Sequence, residues 1–373
     1  VAARASTVAG VVDVRHPTPP ASDLLLERLL QVIDEGRRTA TYKLALLLAL
    51  LDCSAVQPGA TELPTREIAE RVVEIYYPQS REYAASDGIP RELRQITMKT
   101  ATPLRAVLRL RVAGEAAGCR SVREVARRLP TDYAAAVDAV EDTFVRYPIP
   151  LLQTVGSRLV PFLYEVDWSE GASVRVLRRE GRDRLRLLPG VADRLIVLGP
   201  LLRPLVELHW TRDVARWSGV ATEDDRLHAH LFGADRASFP AGMRSGLREL
   251  QAGRCFYCGD RLDASAEVDH FLAWSRWPND AIENLVLADR SCNSSKRDHL
   301  VAPEHLQHWM VRLSEQRDDL AGLAVDSRWD SDSVRSAALV RSTYTHLPAG
   351  TPLWHHGAEF VAADERLTAV LVV

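Results

Sequence analysis

The chain of 373 residues is 46% hydrophobic and 26% charged, which suits a globular protein of two or three domains with at least one large core. No run approaches the roughly 18 apolar residues of a membrane span. The most apolar stretch, LALLLALL at 44–51, is flanked by Lys43 and Asp52 and is read as a buried helix. A net charge of −3 gives no overall pull toward polyanions, and five cysteines are too few for a disulfide scaffold, so a cytoplasmic protein is expected.

In chain order, residues 1–21 are read as a flexible lead-in. Residues 22–56 are expected to form a helical hairpin or one long helix, with Asp23 as cap. Leu25, Leu29, Leu30 and Ile33 recur at helical spacing, and Gly36 marks the interruption. A second helix is expected after Pro64, capped by Thr65, with Ile68, Val72, Val73 and Ile75 on one face. Residues 103–113 and 121–129 add two helical segments. TREIAERV and SVREVARRL each look like the first helix of a helix-turn-helix, but plain packing is the preferred reading of such short amphipathic pieces.

Across 158–188, RLVPFLYEVDW, SEGAS and VRVLRR predict a β-hairpin with a Gly-containing turn. Helices return over 189–217. The polar stretch 219–242, with Gly219, Gly233 and Pro240, is expected to be a domain junction. Helices are expected again over 303–345, with short apolar segments at 358–362 and 367–373. Charge is uneven: residues 101–129 hold seven Arg against two Glu, and 173–216 hold ten Arg against five acids. Each stretch either tracks a phosphate backbone or is a solvated face.

The informative segment is 253–300, GRCFYCGDRLDASAEVDHFLAWSRWPNDAIENLVLADRSCNSSKRDHL. It contains Cys255-x-x-Cys258, then Asp269-His270 at a strand end. Asn284 follows before an apolar strand, and Cys292-Asn293-x-x-Lys296 opens a helix. Four elements in this order and spacing resemble the HNH endonuclease superfamily, whose core is a ββα-metal finger. A CxxC alone would not carry that resemblance. It implies metal-dependent hydrolysis of a nucleic-acid phosphodiester.

The residue types suit that chemistry. The imidazole of His270 can take a proton from water as a general base. Asp269 and the side-chain oxygen of Asn293 offer the hard oxygen ligands that Mg²⁺ or Mn²⁺ prefers. Adjacent strand residues face opposite ways, so Asp269 and His270 reach one site only where the strand bends, and FLAWSRWPND supplies that loop. The resemblance implies that Asn284 pins the loop and orients His270. Lys296, one of three Lys beside 44 Arg, is read either as a phosphate contact or as a solvated helix residue. Trp274 and Trp277 either stack on a base or sugar or pack within the loop.

Cys255, Cys258 and Cys292 suggest a structural Zn²⁺ with bonds of ~2.3 Å to sulfur. Asp289 is the first choice for the fourth ligand, His299 the fallback, and a metal-free knuckle the third reading. Cys53 and Cys119 are isolated thiols. His228, His230, His355 and His356 are read as surface histidines.

The expected fold is α+β. A mostly helical N-terminal domain with a β-hairpin, 22–235, serves recognition or regulation. A small zinc-stabilised HNH domain, 236–302, follows, and a helical extension, 303–373, packs on it. The expected activity is endonuclease action on nucleic acid, DNA first. By analogy with stand-alone proteins of that superfamily, restriction or antiphage defence is the expected setting. The alternative is a non-catalytic, zinc-stabilised nucleic-acid-binding module. Homo-oligomers would be a natural route to double-strand breaks.

Overall fold

Helix α1 (Ser22–Asp34) and helix α2 (Tyr42–Val56) are two helices rather than one long one, and they do not pair as a hairpin either: α1 packs on α9. They belong to a computed structural model that describes residues 22–34, 38–84, 90–97, 102–155, 158–221, 225–233 and 239–371. The lead-in 1–21 and the break at Gly36 lie outside the described residues. Helix α1 begins one residue before the expected cap, Asp23. Helix α2 is buried from Leu44 to Ala55 on every side, as an evenly apolar helix requires, and so lies at the centre of the N-terminal region.

Strand β1 (Glu62–Pro64) leads into α3 (Thr65–Gln79). Pro64 holds the cap position there, and the Thr65 hydroxyl instead donates to Glu141 at 2.6 Å. A short ladder of β2 (Tyr83–Ala84) and β3 (Pro90–Arg91) precedes α4 (Thr102–Ala116), α5 (Val122–Arg128), α6 (Pro130–Arg146) and the single turn α7 (Pro148–Leu151). The two pieces compared with a helix-turn-helix fall on α3 and α5. Ile68, Val72 and Val73 of α3, and Val125 of α5, sit in the core.

Strands β4 (Thr154–Val155) and β5 (Arg158–Leu159) pair with each other, and β6 (Tyr164–Glu165) follows. The expected hairpin needs correction. VRVLRR is helix α8 (Val174–Glu180), not a strand: only Leu177 turns inward, and Gly181 ends the helix in the left-handed region at φ +67°. The second arm is β7 (Arg184–Leu187), whose RLRL alternates exposed and buried. It pairs antiparallel with β6 and with β1, giving the order β1-β7-β6.

Helix α9 (Val191–Ser218) runs 28 residues through Pro200 and Pro204 and packs along α2. The buried Asp52 of α2 is gripped by Arg203 of α9 and Arg71 of α3. Burial alone would raise its pKa, but Arg203 and Arg71 together hold it below the ordinary value. The expected junction 219–242 contains helix α10 (Asp225–Phe232), whose Leu227 and Leu231 pack into the core.

Next come α11 (Ala241–Leu250), β8 (Glu267–His270), a 3₁₀ turn at Ile282–Asn284, β9 (Leu285–Ala288) and α12 (Arg290–Lys296). β8 and β9 are antiparallel, with Asp269 opposite Val286 and His270 opposite Leu285. The chain ends with α13 (Pro303–Glu315), α14 (Arg317–Ser327), α15 (Ser333–Thr345), the hairpin β10 (Pro352–His356) and β11 (Glu359–Ala362), and α16 (Arg366–Leu371). This extension touches both halves of the chain. α14 packs on α11, whereas α15 packs on α2 and α9. Arg335 of α15 reaches Glu74 of α3 at 3.3 Å, and the Ser121 hydroxyl donates to Asp330 at 2.5 Å. The fold is α+β, and among the described residues no helix is long and apolar enough to cross a membrane.

Candidate functional site

The first part of the site is a cysteine knuckle. Cys255 N–H donates to the Asp260 carbonyl at 2.8 Å, and Gly259 N–H donates to the Cys255 carbonyl at 3.1 Å. Gly259 has φ +76°, which closes the turn and directs Cys255 and Cys258 toward the β9–α12 junction. There Asp289 caps α12, its Oδ1 accepting from Cys292 N–H at 2.9 Å. The ligand atoms of Cys255, Cys258, Asp289 and Cys292 all lie within 4.8 Å of one another. A tetrahedral ion with bonds of ~2.3 Å needs its ligand atoms about 3.8 Å apart, so the set fits Zn²⁺.

The thiols share their protons unevenly. A hydrogen bond from Cys292 holds the Cys255 thiol down to about 6, and the same bond together with burial pushes Cys292 up. Burial raises Cys258 to about 12, and its Sγ donates to Asp289 Oδ2 at 3.1 Å. Asp289 stays well below the usual carboxylate range: burial would raise it, but hydrogen bonds from Cys255, the Cys292 N–H, Ser291 and Cys258 outweigh that. His299, the fallback ligand, sits edge-on to Phe360 at 4.9 Å and outside the cluster.

The second part lies where β8 faces α12 and the loop after β8. Strand alternation sends Glu267 and Asp269 one way and His270 the other. Glu267 Oε2 accepts from Asn293 Nδ2 at 2.6 Å, which leaves the Asn293 side-chain oxygen as its ligand atom. Asp269 is buried, and its Oδ2 accepts from the Tyr257 hydroxyl at 2.6 Å and pairs with Lys296 Nζ at 2.9 Å. His270 is part-buried on the opposite face, its Nε2 2.6 Å from Asp280 Oδ1. Trp274 and Phe239 flank the imidazole at 5.7 and 6.3 Å between ring centroids. The expected bend that would bring Asp269 and His270 to one site does not fall within β8, which runs through His270: the two side chains leave opposite faces, and Asp269, His270 and Asn293 are each engaged by a different neighbour. Glu267, Asp269 and Asn293 offer the oxygen donors that Mg²⁺ or Mn²⁺ prefers, but Asp269 Oδ2 is already engaged by Lys296 and Tyr257.

Lys296 corrects both expectations made of it. It is 0% exposed, and besides Asp269 its Nζ donates to the His270 carbonyl at 2.9 Å, so it neither faces solvent nor reaches toward a phosphate. A short polar residue at this point of α12 would leave the Asp269 carboxylate buried without a counterion.

Asn284 holds both ends of the loop that leaves β8. Its Oδ1 accepts from Leu272 N–H at 2.9 Å, and its Nδ2 donates to the carbonyls of Leu272 at 3.0 Å and Asn279 at 2.9 Å. Of the two readings of Trp277, packing is the one observed, though against Gly199 of α9, where a Cβ would meet its ring at 2.9 Å, rather than within the loop. The Arg203 guanidinium lies over the same ring at 5.3 Å. Trp274 Nε1 donates to the Phe232 carbonyl at 3.1 Å. His228 lies 3.5 Å from Glu207, His230 lies edge-on to Tyr83, and His355 lies 3.7 Å from Glu359, while His356 is exposed. None of these four belongs to a metal-competent cluster among the described residues.

Sequence reasoning missed Glu267, Asp280 and Tyr257. Glu267 was within reach of the period-2 rule, since it lies two residues before Asp269 on the same strand face. Asp280 and Tyr257 gave no such signal, because their partners are fixed by tertiary folding.

Residues 23–231 match a domain of unknown function (DUF8808), and residues 255–302 match the HNH endonuclease family. No curated protein and no solved structure matches the chain.

Proposed function

The chain belongs to the family defined by that domain of unknown function (DUF8808) and joins it to an HNH endonuclease module; from this premise we propose a metal-dependent endonuclease that hydrolyses DNA. The observation that carries the reading is the His270–Asp280 contact of 2.6 Å inside the HNH match. The carboxylate accepts a proton held on Nε2, which leaves the Nδ1 lone pair of His270 to take a proton from water. The resulting hydroxide oxygen attacks phosphorus as the bond to the 3′ oxygen breaks, and that oxygen takes its proton from a solvent water.

Asp269 and Asn293, with Glu267 beside them, would hold the Mg²⁺ or Mn²⁺. When bound, the ion supplies positive charge against the developing negative charge of the phosphorane. Asn284 holds the loop from which Asp280 orients the imidazole. The N-terminal domain is assigned target recognition or control of the cutter, and restriction or antiphage defence is the proposed setting.

The test is cleavage of plasmid DNA and of matched DNA and RNA oligonucleotides with Mg²⁺, Mn²⁺ or EDTA. His270→Ala is expected to lower the rate about 10²- to 10⁴-fold with the fold intact. Equal cleavage by that variant removes the mechanism. A second reading, a non-catalytic nucleic-acid-binding module, is favoured by one contact, the Lys296 ammonium already seated on Asp269. Binding that survives EDTA, with no cutting under any divalent ion, would select it.

A further inference from the structure

The linker 329–332 between α14 and α15 is bonded on one side to the loop that carries Asp280 and on the other to helix α5. We propose, resting on the nuclease reading, that Trp329 is a positioning residue for the His270–Asp280 pair, and that α5, within the DUF8808 match, holds it in place. By this route the N-terminal domain sets the rate of cutting through residues that need not touch substrate.

On the nuclease side, hydrogen bonds run from each linker residue to the segment 280–283. Trp329 Nε1 donates to the Asp280 carbonyl at 2.6 Å, and Ile282 N–H donates to the Asp330 carbonyl at 2.9 Å. The buried Glu283 carboxylate accepts from the Ser331 hydroxyl at 2.6 Å and from Asp332 N–H at 3.0 Å. The Trp329 ring also packs on Phe239 at 5.6 Å between centroids, and Phe239 packs on the His270 imidazole at 6.3 Å. Trp329 therefore meets both members of the pair, Asp280 through its backbone and His270 through one intervening ring. A loop is mobile unless its backbone is tied, and the 2.6 Å contact between Asp280 and His270 needs a fixed backbone at 280. An indole N–H can only donate, so its bond fixes that carbonyl in one direction.

On the other side, the linker is gripped by the N-terminal domain. Ser121, the cap of α5, donates its hydroxyl to Asp330 at 2.5 Å. Arg123 pairs with Asp332 and lies 3.6 Å from Glu74 of α3, the carboxylate that Arg335 of α15 also reaches. Asp332 in turn caps α15, accepting from Arg335 N–H at 2.9 Å. A seam that served burial alone would do as well with apolar side chains, which need no such alignment. This one is polar and directional, and it ends on the two acids that flank Ser331. Displacing α5 moves Asp330 and Asp332, and through them Trp329 and Asp280. A misplacement on the order of 1 Å at a catalytic group costs up to about 100-fold in rate, so a small movement suffices.

The test is plasmid cleavage by the full chain with Mg²⁺ or Mn²⁺, read beside NMR spectra of protein carrying isotopically labelled histidine. His270→Ala identifies the His270 ring signals. Trp329→Phe keeps a ring against Phe239 and removes the donor. It is expected to lower kcat about tenfold at unchanged KM and to shift the His270 signals. Because it acts through Asp280, it is expected to slow an Asp280→Ala protein by less than about twofold, whereas a merely structural loss would subtract the same factor in both backgrounds. Arg123 contacts Glu74 and Asp332, both outside the HNH match. Arg123→Met is expected to lower kcat about threefold, again at unchanged KM and with the His270 signals shifted, and it carries the test if Trp329→Phe fails to fold. If the wild type cuts nothing under either ion, the nuclease reading falls, and the NMR arm alone decides the positioning. The proposal is overturned if the His270 signals stay in place in the folded variants, if either variant cuts like the wild type, if the Trp329 and Asp280 losses multiply, or if Arg123→Met changes KM alone.

Discussion

The cysteine knuckle and the β8–α12 face lie within one HNH match, yet they are organised differently. In the knuckle, four side chains converge within 4.8 Å of one another. Along the neighbouring β8 and α12, Asp269, His270 and Asn293 are each held by a separate partner: Lys296 with Tyr257, Asp280, and Glu267. A structural ion needs its full ligand set fixed by short spacings and a helix cap. A catalytic constellation needs each group held at its own angle, so its supports come from wider in the fold. Lys296 occupies the carboxylate that a catalytic cation would use, whereas the knuckle's thiols and carboxylate have mainly one another as partners.

The contrast can be broken first at the knuckle. Stripping the metal with a strong chelator, or Cys292→Ser, is expected to unfold the region around 253–300, since structural zinc contributes roughly 10 kcal/mol or more to such modules. Calorimetry together with metal analysis checks this, and an unchanged melting transition in zinc-free protein would refute it. Next in size, His270→Ala is expected to remove cleavage by the factor given above while leaving the melting temperature within about 2 °C. Loss of the fold instead would make His270 a structural residue.

Lys296→Met should cost about 3 kcal/mol by leaving Asp269 buried without its cation. The double variant with Asp269→Asn should recover part of that loss, as measured by urea unfolding. Additive losses would dissolve the pair. Smallest, Asp280→Asn should slow cleavage about 10- to 100-fold without unfolding the protein, because the imidazole loses the carboxylate that orients it. A rate equal to wild type would reduce the Asp280 contact to loop packing.

What the sequence disclosed follows the range of each interaction. Cys255-x-x-Cys258 is closed by one tight turn, and Asp289 stands one helical turn before Cys292, so that ligand set is visible in local spacing. Asn284 is legible only through the family resemblance, which implies its hold on the loop before the apolar strand. Lys296 is not: its burial depends on Asp269 and Tyr257, which reach it from other parts of the finger. The segment VRVLRR was ambiguous because a six-residue run satisfies a strand pattern and a short helix equally, and Gly181 decides it. The strict alternation of Arg184–Leu187 was the better strand signal. In the fold at large, helices with strong periodicity were readable, whereas the contact of α15 with α2 left no mark in either segment.

The seating of Trp277 on Gly199 limits how the HNH segment could be moved between proteins. The indole that steadies its working loop is covered by a helix from the other half of the chain, and Arg203, which lies over it, also grips Asp52. Grafted elsewhere by itself, the nuclease segment would carry a bare aromatic surface and invite aggregation.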